Sequence, residues 1–247
     1  MYGPPQERPK DQHILLHPHL QYHIKRSGLR RSQECWDGSK QSAPLLHQLA
    51  NSYSSCVNQP IQRLFLAITA MHNFKLFGGD AHDAYAHSPG KFKIPTYISI
   101  DDQYAEWYEE QYKTKINCNL VLPLLKALQG HPESGRLWEE KINSILLSDE
   151  FKFTTTTLDR CIYRTVWKGN LVFLLRQVDD FALACKDEET AKEIYSLIGE
   201  RLQTDDEEEP PFDYFGLLED FNGVDVHQYK DCIQISCPEY IERIVTS

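Results

Sequence analysis

The run LVFLLRQVDDFALAC, residues 171–185, limits what this chain can fold into more than any other stretch. Two short segments rich in Leu, Val, Phe and Ala flank an acidic pair, Asp179 and Asp180. Each flank fits a strand, so the pair predicts the turn of an antiparallel hairpin. Asp tolerates turn dihedrals, yet tight two-residue hairpins favour Asn-Gly or Asp-Gly, and Asp-Asp gives up the glycine. Adjacent carboxylates also repel each other unless a cation lies between them. On these residues alone a solvated turn is the simpler explanation.

The surrounding sequence extends the hairpin. CIYRTVWKGNLVFLLRQVDDFALAC reads as strand, Lys-Gly-Asn turn, strand, Asp-Asp turn, strand, an antiparallel meander. Upstream, APLLHQLANSYSS and PIQRLFLAITAMH read as helices, the second with Ile61, Leu64, Phe65 and Ile68 on one face. NFKLF is a short strand running into GGDAHDAYAHSPG, so Asp80 follows a strand and precedes a helix. PTYISIDDQYAEWYEEQYKTK reads as a strand, then an acidic, aromatic helix or loop. VLPLLKALQGHPESGRLWEEKINSILLSDEF breaks at QGHP and continues as a helix with Pro132 near its first turn. The apolar stripe of that helix is Trp138, Ile142, Ile145 and Leu146, a core face.

DEETAKEIYSLIGERL is an amphipathic helix opened by acids, which suit a helix N-terminus. QTDDEEEPP is the clearest linker. FNGVDVHQYKDCIQIS predicts a second hairpin. SCPEYIERIV opens a final helix, with Ser236 and Glu239 in capping-box spacing. Helices mixed with antiparallel hairpins argue for an α+β fold. Residues 1–28 are polar and rich in Pro and His, and read as a poorly ordered tail.

Composition narrows the function classes. The chain has 247 residues, 41% of them hydrophobic, enough for a real core. The net charge is −10, split as +3 over the first forty residues and −13 over the remainder. An acidic chain is a poor prior for nucleic-acid binding. Such a role needs a local basic groove, for which Arg8, Lys10, Lys25, Arg26, Arg30 and Arg31 are candidates, or metal ions. A solvated tail explains the same basic residues. Seven scattered cysteines with no C-x-x-C argue against a disulfide framework or a zinc knuckle, and fit a reducing, intracellular compartment. No apolar leader opens the chain and no run approaches a membrane span. His13, His17, His19 and His23 have no Cys or carboxylate partner at metal spacing and read as surface residues.

Asp80, Asp179 and Asp180 form one possible constellation, three carboxylates leaving sheet edges. Brought together they could hold two divalent ions, and two metals can clamp the attacking and leaving oxygens of a phosphoryl displacement. DAHDAY, followed about a hundred residues later by QVDDF, resembles the first and third catalytic motifs of reverse transcriptases. LQGHPESGRLWEEKI between them resembles the second. With DGSK upstream and FNGVDV downstream, the combination is most similar to the copia-type retrotransposon reverse transcriptase, over roughly residues 30–247.

The resemblance implies an RNA-directed DNA polymerase, the reverse transcriptase part of a Pol polyprotein, with the fingers and palm of a right-handed polymerase. Residues 29–236 would form fingers and palm, with an antiparallel palm sheet backed by helices, and residues 237–247 the start of a thumb that is largely absent. Asp80, Asp179 and Asp180 would be catalytic and, with the backbone of Ala81, would hold two Mg²⁺ ions, Mn²⁺ being a possible substitute. Tyr85 would lie under the incoming sugar and reject a 2′-hydroxyl; its bland reading is a core tyrosine. Gln129 and Gly130 would approach the nucleotide sugar, glycine permitting close backbone contact. Arg31 would grip the triphosphate. Phe221 and Gly223 would hold the primer end. The implied partners are an RNA or DNA template with its primer and dNTPs, with no membrane.

Two positions depart from the pattern. Gln177 stands where the family usually has an aromatic or small residue, and Gln33 where a second triphosphate-binding cation is usual. An amide does not replace a guanidinium fork on a phosphate. A non-catalytic remnant that only binds nucleic acid or protein is the competing reading. A metal-dependent nuclease ranks last, because it leaves Tyr85 and Gln129-Gly130 unexplained.

Overall fold

The structure, a computed structural model, describes residues 3–10, 13–24, 30–37, 54–157, 159–203 and 210–246. The chain divides into two units. One comprises residues 1–54 with 85–140, the other residues 55–84 with 141–247. The sequence-predicted helix at APLLHQLANSYSS and the linker QTDDEEEPP fall mostly outside the described residues.

The first unit is built on a four-stranded sheet. Strands β1 (Ile14–Ile24), β2 (Arg30–Asp37), β4 (Thr96–Ser99) and β5 (Val121–Pro123) lie in the order β2-β1-β4-β5. The predicted N-terminal tail is therefore corrected in part, because residues 14–24 are a strand. Its reason is the short run Ile14-Leu15-Leu16. Ile14 and Leu16 are fully buried, and Ile14–Leu16 pair in parallel with Thr96–Ile98. The remainder of β1 pairs with β2, and there Leu20, Tyr22 and Ile24 alternate with His19, Gln21 and His23, a strand pattern that the Pro- and His-rich composition obscures. Ile98, Leu122 and Leu124 complete this core, with Tyr104 and Ala105 packed against it. Those two come from helix α2 (Asp102–Tyr112), whose N-cap Asp101 accepts from the Tyr104 N–H.

The second unit is built on a six-stranded antiparallel sheet. It contains β3 (Lys75–Ala81), β6 (Thr154–Thr155), β7 (Ile162–Trp167), β8 (Asn170–Gln177), β9 (Asp180–Cys185) and β10 (Phe212–Leu217), in the order β10-β3-β9-β8-β7-β6. The predicted meander is β7-β8-β9. Helix α1 (Gln59–Met71) packs Phe65 and Leu66 against Leu76, Leu175, Ala182 and Ala184 on one face. Helix α4 (Glu188–Leu202) covers the other. Its Tyr195 stacks on Phe212 and donates to the Phe77 carbonyl at 2.9 Å. The Asp187 side chain caps α4 by accepting from Thr190 N–H, and Glu188 and Glu189 occupy the first turn, as its acidic opening predicts. Helix α3 (Ser134–Leu146) buries Trp138, Ile142, Ile145 and Leu146, the predicted stripe.

Two glycines set the spacing at β3. A Cβ on Gly79 would come within 2.5 Å of the Phe212 ring, and one on Gly78 within 2.8 Å of Leu218. Beyond a bulge in β10, a small three-stranded sheet follows, with β11 (Asp220–Phe221), β12 (Val224–Gln228) and β13 (Ile233–Ser236). Gln228 fastens it to β3. Its amide accepts from the Leu76 N–H at 2.8 Å and donates to the Leu76 and Leu218 carbonyls. The last helix, α5 (Pro238–Thr246), begins at a proline, so Ser236 closes β13 instead of capping a helix.

Candidate active site

The acidic hairpin differs from its sequence reading by one residue. Gln177 and Asp180 pair across β8 and β9, so the central turn residues are Val178 and Asp179. Asp180 is the first residue of β9. The turns that suit two-residue hairpins need positive φ at the first central position. Here that position is Val178, at φ +58°. A β-branched side chain in the left-handed region is strained by roughly 1–3 kcal/mol, so the surroundings must hold it. Two bonds do so from opposite sides. The Ala81 N–H donates to the Asp179 carbonyl at 2.9 Å, and Arg176 Nη1 donates to the Val178 carbonyl at 3.2 Å.

Asp80 also departs from expectation. It lies inside β3, directly opposite Asp180 on β9, and the chain continues into a short 3₁₀ turn, Ala84–His87, instead of an α-helix. On its other side Asp80 pairs with Asp213 of β10. Directly opposed residues of an antiparallel sheet share a face. Asp213, Asp80 and Asp180 therefore form a transverse row across three strands, with Asp179 in the turn beside it. His82 Nε2 lies 2.6 Å from Asp213 Oδ2. Burial, then Asp179, Asp80 and Asp220 in turn, pushes the Asp180 carboxyl up to about 7.

Asp213 and Asp220 are absent from the sequence reading. Nothing local marks them, because Asp213 meets Asp80 only through the β3–β10 pairing. Among the described residues no three His, Cys, Asp or Glu side chains stand ready as a metal-binding group. The donor chemistry nevertheless fits a hard divalent cation. Asp180 is held toward its protonated form by burial and then by the neighbouring carboxylates, and a cation on hard oxygen ligands offsets the carboxylate repulsion.

Gln177 has a structural explanation. Its Oε1 accepts from the Val57 N–H at 2.8 Å and ties the segment before α1 to the end of β8. Phe221 is buried on β11, and Gly223 occupies the β11–β12 turn at φ +75°. Both belong to the second unit, like the aspartates and Ala81.

Tyr85, Gln129, Gly130 and Arg31 belong to the first unit. Tyr85 is half-buried in the 3₁₀ turn and accepts from the Ser88 N–H through its carbonyl. Gly130 has φ +94°. A dense network follows it. His131 Nδ1 accepts from the Glu133 N–H at 3.0 Å, so Nε2 carries the proton toward Thr96 Oγ1, 2.9 Å away. Burial, and secondarily the Arg136 charge, lowers His131 to about 3. The buried Glu133 carboxylate accepts from the Lys93 N–H and pairs with Arg136 at 2.7 Å. Arg136 is thus bound to both Glu133 and Glu140. On β2, Arg31 pairs through its backbone with His23, and Gln33 with Gln21. No helix among the described residues is long and apolar enough to cross a membrane.

A search of curated proteins finds no match. Among solved structures, the chain is similar to apo telomerase from Candida tropicalis truncated from its C-terminal domain, at 12% identity and a TM-score of 0.43. The match covers 89% of this chain and 55% of that one, so the chain spans about half the telomerase chain's length. The profile of the reverse transcriptase (RNA-dependent DNA polymerase) family matches residues 30–247. That match takes in Asp80, Asp179 and Asp180 and nearly the whole chain, which therefore belongs to the reverse transcriptase family.

Proposed function

We propose that this chain is an RNA-directed DNA polymerase of the copia retrotransposon type, extending a primer 3′-hydroxyl with dNTPs on an RNA or DNA template. The supporting observation is the register of β3 and β9, which sets Asp80 opposite Asp180 and beside the Asp179 turn from about a hundred residues apart. In this reading the second unit is the palm, the first the fingers, and α5 the start of a thumb.

Asp80, Asp179 and Asp180, with the Ala81 backbone, would hold two Mg²⁺ ions, or Mn²⁺ in their place. Those ions, when bound, activate the 3′-hydroxyl and neutralise charge on the leaving pyrophosphate. The chain itself contributes position and electrostatics. The rigid β3–β9 ladder fixes two carboxylates, and the anchored turn fixes the third. Tyr85 excludes the 2′-hydroxyl of a ribonucleotide. The Gln129-Gly130 backbone approaches the sugar, Arg31 meets the triphosphate, and Phe221 and Gly223 seat the primer end.

Primer extension tests the reading. The purified chain is given an RNA template, a DNA primer and dNTPs with Mg²⁺ and then Mn²⁺, beside an Asp179→Asn control. Extension that the control loses is the expected result. A folded chain that binds template-primer and extends nothing with either metal overturns it.

A further inference from the structure

Arg176 is a fully buried cation inside β8, in a strand whose other inward residues are apolar. A buried guanidinium is costly unless its donors are used. Its side chain shares a sheet face with Phe181, its cross-strand partner, and therefore lies on the face opposite Asp80 and Asp180. From there it reaches around the end of the hairpin. Nη1 donates to the Val178 carbonyl at 3.2 Å, while Nε points at Tyr163 Oη, 3.4 Å away. Tyr163, itself fully buried, donates to Asn143 Oδ1 at 2.7 Å. A chain of contacts thus runs from α3 through the core to the carbonyl preceding Asp179.

That carbonyl belongs to the residue in the left-handed conformation. A two-residue turn with Val at this position relaxes by rotating the Val178–Asp179 peptide, which swings the Asp179 side chain. Ala81 pins the peptide after Asp179. Arg176 bonds the peptide before it. A planar, permanently charged fork suits this task, since it can serve two acceptors at once and does not neutralise on burial.

We propose that Arg176 is a positioning residue, a buried clamp that holds the strained Val178 peptide so that Asp179 stays aligned with Asp180 and Asp80. The proposal rests on the polymerase reading only for its kinetic consequence; the clamp itself is a statement about the turn.

The test combines amide exchange with kinetics on Arg176→Met, Arg176→Lys and Val178→Gly. Arg176→Lys keeps a buried cation and serves as the folded comparison should Arg176→Met not fold. In either variant, the amides of residues 178–180 are expected to exchange about tenfold faster while those of β7 and the centre of β9 keep their protection. In primer extension kcat falls about 100-fold, the KM for dNTP stays level, and more Mg²⁺ is needed for half-maximal rate. Val178→Gly removes the strain, so adding it to Arg176→Lys restores most of the lost rate. Three outcomes overturn the clamp: turn exchange equal to that of the unsubstituted chain, an increase spread evenly over the whole sheet, or no rescue by Val178→Gly. The polymerase reading fails separately, if the unsubstituted chain extends no primer; the exchange measurements then still decide the clamp.

Discussion

Asp80 and Asp180 face each other directly across the β3–β9 ladder, with Asp213 one strand further out beside Asp80. Like charges directly opposed destabilise a sheet, and this sheet carries them at the end where the Asp179 turn closes. A fold tolerates such an arrangement where positive charge arrives from outside.

Stability should therefore depend on pH and cations together. Asp180 is raised to about 7, so its contribution to stability is full below the ordinary carboxylate range and is lost as pH rises through about 7. In EDTA, the Tm of the unsubstituted chain should fall relative to Asp180→Asn between about pH 5 and pH 8. Millimolar Mg²⁺ or Mn²⁺ should recover the Tm at the alkaline end and do little at the acid end. An alkaline Tm indifferent to both ions would count against cation binding at this site.

His131 should give the opposite slope. It is buried neutral and lowered to about 3, so the stability it contributes is present above its unfolded value of about 6.5 and declines as pH falls below that. His131→Gln, compared by urea unfolding at neutral and mildly acid pH, should lose that acid-side dependence.

Gln177→Leu removes the acceptor for the Val57 N–H. The half-buried donor left behind should cost about 1–2 kcal/mol in chemical denaturation. The m-value should stay the same, since no surface changes hands.

Gly79→Ala drives a methyl into the Phe212 ring, which is already packed on Tyr195 and Phe181. The expected loss is about 1–3 kcal/mol, together with slower primer extension, because Asp80 is the next residue along β3. Shrinking the obstacle with Phe212→Leu in the same chain should return part of both.

Ribonucleotide discrimination tests Tyr85. Tyr85→Ala should raise ribonucleotide use relative to dNTP by more than about tenfold, while dNTP extension persists. Unchanged selectivity would leave Tyr85 as a packing residue of its 3₁₀ turn.

What was legible in the sequence follows the range of the interactions. The β7-β8-β9 meander, the α3 stripe and the α4 start are local patterns, and the chain shows them in the expected places. The turn lies one residue earlier than Asp-Asp predicts, because Asp-Asp looks like turn chemistry and Val does not. The register places Val178 in the turn against its own preference, and long-range bonds from Arg176 and Ala81 hold it there. The strand at residues 14–24 is hidden by its Pro- and His-rich composition, which reads as a polar tail although Leu20, Tyr22 and Ile24 alternate with polar residues. Asp213 and Asp220 are not marked locally, since Asp213 meets Asp80 through a long-range strand pairing and Asp220 acts through its charge on the distant Asp180.

β3 is synthesised long before either neighbour that flanks it, β9 and β10. While the ribosome adds the next hundred or so residues, a strand carrying Leu76 and Phe77 waits with both hydrogen-bonding edges bare. Pairings of such wide sequence separation form slowly, and a bare apolar edge recruits strands from other chains. Chaperones that cover this edge until the C-terminal strands arrive should therefore favour the sheet over the aggregate.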